Sequence, residues 1–397
     1  MAVFGVWMWP QSVIDQGADR VSALCASIGV TDIYFLTKGL AGTASYRSAL
    51  APQCSDRDLL AELLDAAHER GIRVHAWLTS ASDEDYKQRF PESGRCHYTR
   101  GKDKGLISLA DEGYIAYMEQ IVRELCSRYA IDGLHLDYIR YNHLLYGWSE
   151  EDMARYAASG ADIAHLKKLM DMTFLGEQNS SCIFDAYRAG DPSALALAQA
   201  RRCDVRRFAE ALTTCARAER KDLILSAALM PEGAYEDTAF ADLHYGQSYE
   251  DAVALYDAVL PMAYSKAYEK DGSWVRLVAE GTLKQGVKNI MGLHAYDGGT
   301  GPSLHEDIQA LAYAAIDGIC LFRFGAFAIA LRQGHSLRII NTLAQPITAV
   351  ESADGASLLP TGEVILPGAE AILPIPSFSS PLRLFCGEAE ACVYLAE

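Results

Sequence analysis

The sequence contains no stretch approaching the roughly 18 uninterrupted apolar residues that a membrane span requires. Its opening, Met1-Ala2-Val3-Phe4-Gly5-Val6-Trp7, lacks the basic region and apolar run of a signal peptide, so a cytoplasmic location is the expectation. Positive charge is scarce: 35 Lys and Arg stand against 52 Asp and Glu, a formal net charge of −17. That balance argues against nucleic acid and against an anionic membrane surface as partners, since both are held by basic patches. The ten cysteines form no CxxC and no Cys/His cluster. Cys25, Cys126, Cys215 and Cys320 fall inside apolar patterns, where a thiol serves as a small buried hydrophobe. Only Cys386 and Cys392 lie close enough in sequence to suggest a bridge, and reduced thiols are expected throughout. No HxH pattern ends the first strand, and His75, His135 and His294 occur singly on separate strands, so neither a metal nor another cofactor is expected.

What is present is an alternation. Apolar strand candidates at Val3–Trp9, Asp32–Lys38, Arg73–Thr79, Gly133–Tyr141, Leu223–Glu232, Ala258–Lys266, Asn289–Asp297 and Gly318–Phe324 are separated by amphipathic helical runs. Arg57–Arg70 and Gly113–Tyr129 are the clearest of these, and Gly29, Gly71 and Gly286 stand where helices should stop. Repeated strand–helix units predict an α/β chain folded as a (β/α)8 TIM barrel. A doubly wound sheet would carry a Gly-rich phosphate turn after its first strand, but Met8-Trp9-Pro10-Gln11-Ser12 has no glycine. The barrel is expected over residues 1–334, with a helical insertion at about 142–205 after strand 4. Beyond residue 335 helical periodicity stops, and Pro, Leu and Val alternate with turn residues, which predicts a small β module over 335–397. Nothing in the sequence indicates an oligomeric state.

Strand parity then sorts the chemistry, because alternate barrel residues point inward and active sites form at strand C-termini. In Gly133–Tyr141, His135 and Asp137 share the inward face of an otherwise apolar strand. Such residues need partners or a purpose. A structural His–Asp pair is the plain alternative to a catalytic site. By the same sorting, Trp7 and Trp9, His75 and Trp77, Tyr264, His294 and Tyr296 face the interior near strand ends, with Lys38, Arg140 and Arg323 supplying positive charge. Asp83, Glu84 and Asp85 are read as an exposed loop or helix start, and Asp132 as a turn residue at the opposite end of the barrel. Stacking rings with interspersed carboxylates, imidazoles and cations suit a carbohydrate substrate. Glycoside hydrolysis needs one protonated and one ionised carboxyl group. Asp137 and Glu232 lie on adjacent strands, with Cα atoms on the order of 5–10 Å apart. The expectation is Asp137 as nucleophile or charge stabiliser and Glu232 as general acid/base, with Asp297 in reserve. Asp297-Gly298-Gly299-Thr300-Gly301 is read as a loop at the rim rather than a phosphate site.

His135-Leu136-Asp137-Tyr138-Ile139-Arg140-Tyr141 after Asp132-Gly133 resembles the fourth-strand signature of the glycosyl hydrolase-like 10 family. Val74-His75-Ala76-Trp77, Gly246-Gln247, Val259–Tyr264 and the strand ending in Arg323 are similar too. The resemblance implies a barrel distantly akin to the α-amylase group, acting on a glycan, with Asp137 as nucleophile and Glu232 as acid. The chain departs from the pattern at Asn142, which replaces a proline, and in its insertion and C-terminal segment. Two rival readings stay open: a Schiff-base aldolase using Lys266, and a glycan-binding barrel without turnover.

Overall fold

The structure is a computed structural model that describes residues 2–176, 181–296, 304–352, 354–375 and 382–396. Eight parallel strands close a barrel: β1 (Val3–Met8), β2 (Asp32–Lys38), β3 (Arg73–Thr79), β6 (Gly133–Asp137), β7 (Ile224–Leu229), β8 (Ala258–Pro261), β9 (Lys288–His294) and β10 (Gly318–Phe322). A hairpin, β4 (Gly94–His97) and β5 (Gly101–Ile107), intervenes between β3 and β6. The barrel order is β1-β10-β9-β8-β7-β6-β3-β2, so β6 sits between β3 and β7. The (β/α)8 expectation therefore holds.

Both faces of each barrel strand are covered, which is why the strands read as nearly continuous apolar runs. In β3 every residue after Arg73 is buried. Helices begin and end on the expected signals. Asp58 caps Leu59–His68 by accepting from the Ala61 amide, and Gly71 ends the segment at φ 71°. That left-handed turn is open to glycine without a Cβ penalty.

Apart from β2 and β3, the barrel strands are shorter at their C-terminal ends than periodicity suggested. β6 stops at Asp137 because Tyr138 adopts φ 56°, and β7 stops ahead of Pro231, which opens a 3-10 turn over Pro231–Ala234. These departures from extended backbone release side chains into the mouth of the barrel.

The insertion folds as helices Glu150–Ala158, Ile163–Phe174 and Cys182–Arg188, followed by the long helix Pro192–Glu219. Leu197 on that helix belongs to the insertion's own apolar core, while Phe208 and Leu212 pack into the barrel's. One continuous helix thus ties the insertion to the barrel, and residue 205 lies within it.

Downstream, β11 (Ala328–Gln333), β12 (Ser336–Ile340), β13 (Ala349–Glu351), β14 (Glu370–Pro374), β15 (Arg383–Cys386), β16 (Ala389–Ala391) and β17 (Val393–Ala396) form two small sheets, β14-β12-β11-β17 and β13-β15-β16. Pairing is antiparallel except between β11 and β17. The Tyr394 ring packs at a tilt against Phe4 of the first barrel strand, centroids 5.1 Å apart, joining these sheets to the barrel. Cys25, Cys54, Cys96, Cys126, Cys182, Cys203, Cys215 and Cys320 are free thiols. Among the described residues no helix is long and apolar enough to cross a membrane.

Candidate active site

The interior parity places a stack of side chains along the barrel axis. At its lower end Asp32 accepts from Arg73 through two bonds of 2.8 Å and from His75 Nε2 at 2.7 Å. Burial pushes the Asp32 carboxyl up, but the bonds from His75 and Arg73 outweigh it and hold the acid well below its usual range. Above this layer Trp7 Nε1 donates to His135 Nε2 at 3.1 Å, and His135 Nδ1 meets Ser226 Oγ at 2.9 Å. An imidazole accepting at Nε2 is neutral, and burial pushes its pKa far down. Gly133 makes room for this packing, since a Cβ there would stand 2.1 Å from His75 Nδ1.

His75 and His135 are therefore parts of the packed interior, not of a substrate surface. Lys38 is a third correction. Its Nζ lies 2.6 Å from Asp83 Oδ2, with both side chains fully buried. The acid expected on an exposed loop or at a helix start is thus a helix cap and also the counter-ion of the lysine expected in the pocket. Asp83 caps the helix Glu84–Arg89, accepting from Tyr86 N at 2.8 Å.

At the top of the barrel an aromatic cavity of about 510 Å³ opens above Asp137. That size lies within the range of about 300–1,000 Å³ common for small-molecule sites. Trp7, Trp77, Tyr264 and Phe322 line it from the strand ends, and Met230 and Met262 add polarisable surface. Trp9 stands at the rim, 38% exposed, with the Arg323 guanidinium 3.6 Å from its ring centroid. Tyr296 packs 6.5 Å from Tyr264 and 6.2 Å from Phe322 and is not itself a lining residue.

Asp137 is the one carboxylate among the described lining residues. It is 5% exposed and meets two hydrogen-bond donors and one cation. Trp77 Nε1 donates to Oδ2 at 3.2 Å, Tyr138 N to Oδ1 at 2.6 Å, and Arg140 Nη1 lies 3.5 Å from Oδ1. The left-handed turn at Tyr138 is what aims its amide back at the preceding carboxylate; a bulky residue there carries a strain of about 1–3 kcal/mol. Burial raises the Asp137 pKa, and Arg140, the Tyr138 amide and the Trp77 indole oppose that rise. All three groups favour the ionised form. Arg140 is 9% exposed and lies over the Tyr138 ring at 4.6 Å.

Glu232 occupies the 3-10 turn after β7 and is 7% exposed. Tyr268 donates to its Oε1 at 3.1 Å, the Tyr245 hydroxyl stands at a long 3.5 Å, and Oε2 has no hydrogen-bond partner. Burial raises the Glu232 pKa, offset by a backbone hydrogen bond, the two phenols and the charge of Arg140. Glu232 does not itself line the cavity; Tyr268 does.

His294 lies behind the cavity wall, with Nδ1 3.9 Å from Asp307 Oδ2 and no hydrogen bond at that nitrogen. Burial and the charge of Lys266 lower its pKa to about 4. Asp307, bonded by Ser265 Oγ at 2.6 Å, is raised by burial to about 6. Lys266 is half-buried on the turn after β8 and does not line the cavity. Asp297 lies outside the described residues.

The structure thus brings Asp137, Arg140, Trp7, Trp9, Trp77 and Tyr264 together and leaves Lys38, His75, His135 and His294 outside the pocket. Tyr268 and Phe322 were missed by the sequence reading. Phe322 carried a signal, since it shares parity with Gly318 and Cys320 in β10; Tyr268 sits on a turn, where parity says nothing.

The family model for Glycosyl hydrolase-like 10 matches residues 35–277, which include Asp137 and Glu232. Among solved structures the fold is similar to the PgaB (BpsB) glycoside hydrolase domain from Bordetella bronchiseptica: TM-score 0.66 at 16% identity, over 81% of this chain and 94% of that one. It is also similar to the β-galactosidase from Marinomonas ef1, with TM-score 0.57 at 13% identity over 81% of this chain and 54% of that chain. The α-L-fucosidase isoenzyme 2 from Paenibacillus thiaminolyticus gives 0.56 at 14% identity, over 82% and 46%. This chain therefore spans about half the length of those two proteins. A search of curated protein sequences finds no match. At such identities the structural likeness is one of fold.

Proposed function

The chain belongs to the Glycosyl hydrolase-like 10 family, and on that premise we propose that it hydrolyses a glycosidic bond in an oligo- or polysaccharide. The observation that carries the reading is Asp137: the sole lining carboxylate among the described residues, held by two hydrogen bonds and an ion pair at the base of an aromatic cavity. Ring faces of a sugar match Trp7, Trp9, Trp77 and Tyr264, and Asp137 and Arg140 offer an acceptor and a donor to its hydroxyls.

The division of labour follows from charge. Arg140 is the cation whose field reaches both Asp137 and Glu232. One guanidinium compensates one negative charge, so the pair holds a single ionised carboxyl and a single proton. The indole, amide and guanidinium around Asp137 select it for ionisation, as nucleophile or stabiliser of the oxocarbenium-like transition state. Glu232, with Oε2 unpartnered and only phenols nearby, is the source of the proton for the departing oxygen.

A glycan-binding barrel without turnover is the second reading, and the withdrawal of Glu232 from the cavity wall favours it. The aldolase reading has no such support, because Lys266 stands off the cavity. A screen of aryl glycosides and natural glycans against wild type and Asp137→Asn separates the two survivors. Hydrolysis by wild type that falls on the order of 10³-fold or more in the folded variant supports the enzyme. Unchanged turnover in the variant overturns it. Sugar binding by both proteins, with cleavage by neither, makes the barrel a binding protein.

A further inference from the structure

The cavity and the acid are separated by one side chain. Tyr268 lines the cavity, and its hydroxyl lies 3.1 Å from Glu232 Oε1. Its ring is fixed by stacking on Trp274 at 4.9 Å, and Trp274 Nε1 is in turn bonded to Tyr235 Oη at 2.7 Å. Tyr245, the other phenol beside Glu232, does not line the cavity. Among the described residues, Tyr268 is therefore the side chain that both lines the cavity and is hydrogen-bonded to the Glu232 carboxyl.

We propose that Tyr268 is a catalytic residue that relays the Glu232 proton to the glycosidic oxygen. This rests on the glycosidase reading above. In the step, the bond between the anomeric carbon and the leaving oxygen breaks and its electron pair goes to that oxygen. The oxygen takes the phenolic proton of Tyr268, and the phenol oxygen takes the carboxyl proton from Glu232 Oε1, which donates to it when the acid is protonated, the reverse of the bond that the carboxylate accepts. Tyr268 stays neutral, Glu232 becomes a carboxylate, and the anomeric carbon is satisfied by Asp137 or by a water beside it whose proton Asp137 takes. The return path restores the proton to Glu232 when water adds. Burial and the nearby carboxylate make a free tyrosinate unfavourable, which is why the two transfers are concerted.

The relay has a signature that a merely structural tyrosine lacks. A leaving group of low pKa departs without a proton, so it bypasses the relay. The test uses the methyl and 2,4-dinitrophenyl glycosides of the sugar that wild type cleaves, with Tyr268→Phe, Glu232→Gln, the double variant and Tyr245→Phe as control. Tyr268→Phe should lose on the order of 10²–10³-fold on the methyl glycoside and only a few-fold on the dinitrophenyl one. Glu232→Gln should show the same split, and the double variant should lose no more than either single, because both act in one chain. Tyr245→Phe should show no split. An equal loss on both substrates in Tyr268→Phe, additive losses in the double variant, or full activity on the methyl glycoside overturns the relay. A readout without turnover accompanies these: the carboxyl carbon of Glu232, followed by NMR across pH, should titrate higher in Tyr268→Phe, since a donor to the ionised form is gone. An unchanged titration overturns the coupling. Failure of the glycosidase reading is distinct, since Asp137→Asn would then leave every turnover unchanged.

Discussion

Trp77 and Asp137 are joined across neighbouring strands, the indole Nε1 donating to Oδ2 at 3.2 Å. The register explains the contact. Thr79 of β3 lies opposite Asp137 of β6, and Trp77 lies opposite His135, one inward layer lower. A long side chain on the lower layer reaches up to the acid above it. The same ring that presents a face to the cavity thereby fixes the carboxylate, so binding and positioning share one residue. Replacing Trp77 by Phe keeps the platform and removes the donor. We expect a lower kcat with KM changed little, and an Asp137 pKa raised further because a bond to its ionised form is lost. A pH–rate profile whose acidic limb does not move upward contradicts this.

Trp9 is a different case, because it carries no bond to the acids and its ring is partly open at the rim. Trp9→Ala should raise KM by roughly tenfold, about 1.4 kcal/mol of lost stacking, while leaving kcat nearly unchanged. Steady-state kinetics decide it, and a fall in kcat alone would assign Trp9 another role.

Lys38 should matter for folding and not for turnover. Lys38→Met leaves Asp83 buried without its counter-ion, a loss of about 3–5 kcal/mol of stability. The double variant Lys38→Met/Asp83→Leu should recover much of that loss, short of the cap to Tyr86. Urea unfolding of the three proteins measures both numbers. A single variant of wild-type stability and altered KM would return Lys38 to the pocket.

Gly281 lies on the helix Gly272–Lys284, where a Cβ would fall 2.0 Å from the carbonyl oxygen of Ala234. Ala234 ends the turn that carries Glu232. Gly281→Ala should therefore push that turn away, destabilising the protein by about 1–3 kcal/mol and lowering kcat without any contact to substrate. Thermal melting and kinetics on the same sample check both halves.

Asp307 gives a pH dependence with a definite sign. Burial raises its carboxyl to about 6 in the folded chain, from 3.8 when free. Below about pH 4 both states are protonated and nothing is lost. Between about 4 and 6 the unfolded chain releases the proton first, so stability falls as pH rises, and the penalty stays constant above that window. Asp307→Asn keeps an acceptor for Ser265 and removes the penalty, which should stabilise the protein by roughly 2–3 kcal/mol at pH 7 and by almost nothing at pH 4. Denaturation curves at the two pH values test it, and equal shifts at both would contradict it.

The barrel was legible because its evidence is local. Periodicity marked β2 and β3 to the residue, and Gly29, Gly71 and Gly286 each adopt the positive φ that their place after a helix suggested. The hairpin β4–β5 was not, since its short run over Arg95–His97 shows too little alternation to stand out. Inward parity also put His135 and Asp137 on the same interior face. What parity lacks is height along the axis. His75, His135 and Asp137 all point inward, yet Asp32, Trp7 and the cavity claim them in turn.

The sequence alone determined the strand order, the inward face of each strand and the placing of Asp137 at a strand end, because hydrophobic periodicity is a property of consecutive residues. Only the tertiary structure decided which polar residues meet each other and which meet the cavity. Lys38 and Asp83 are 45 positions apart and neutralise one another in the dark of the fold; Glu232 reaches the site only through Tyr268, 36 positions further on. A buried charge is settled by whatever partner packing brings within bonding distance, and that distance is set by the closed barrel and not by the chain.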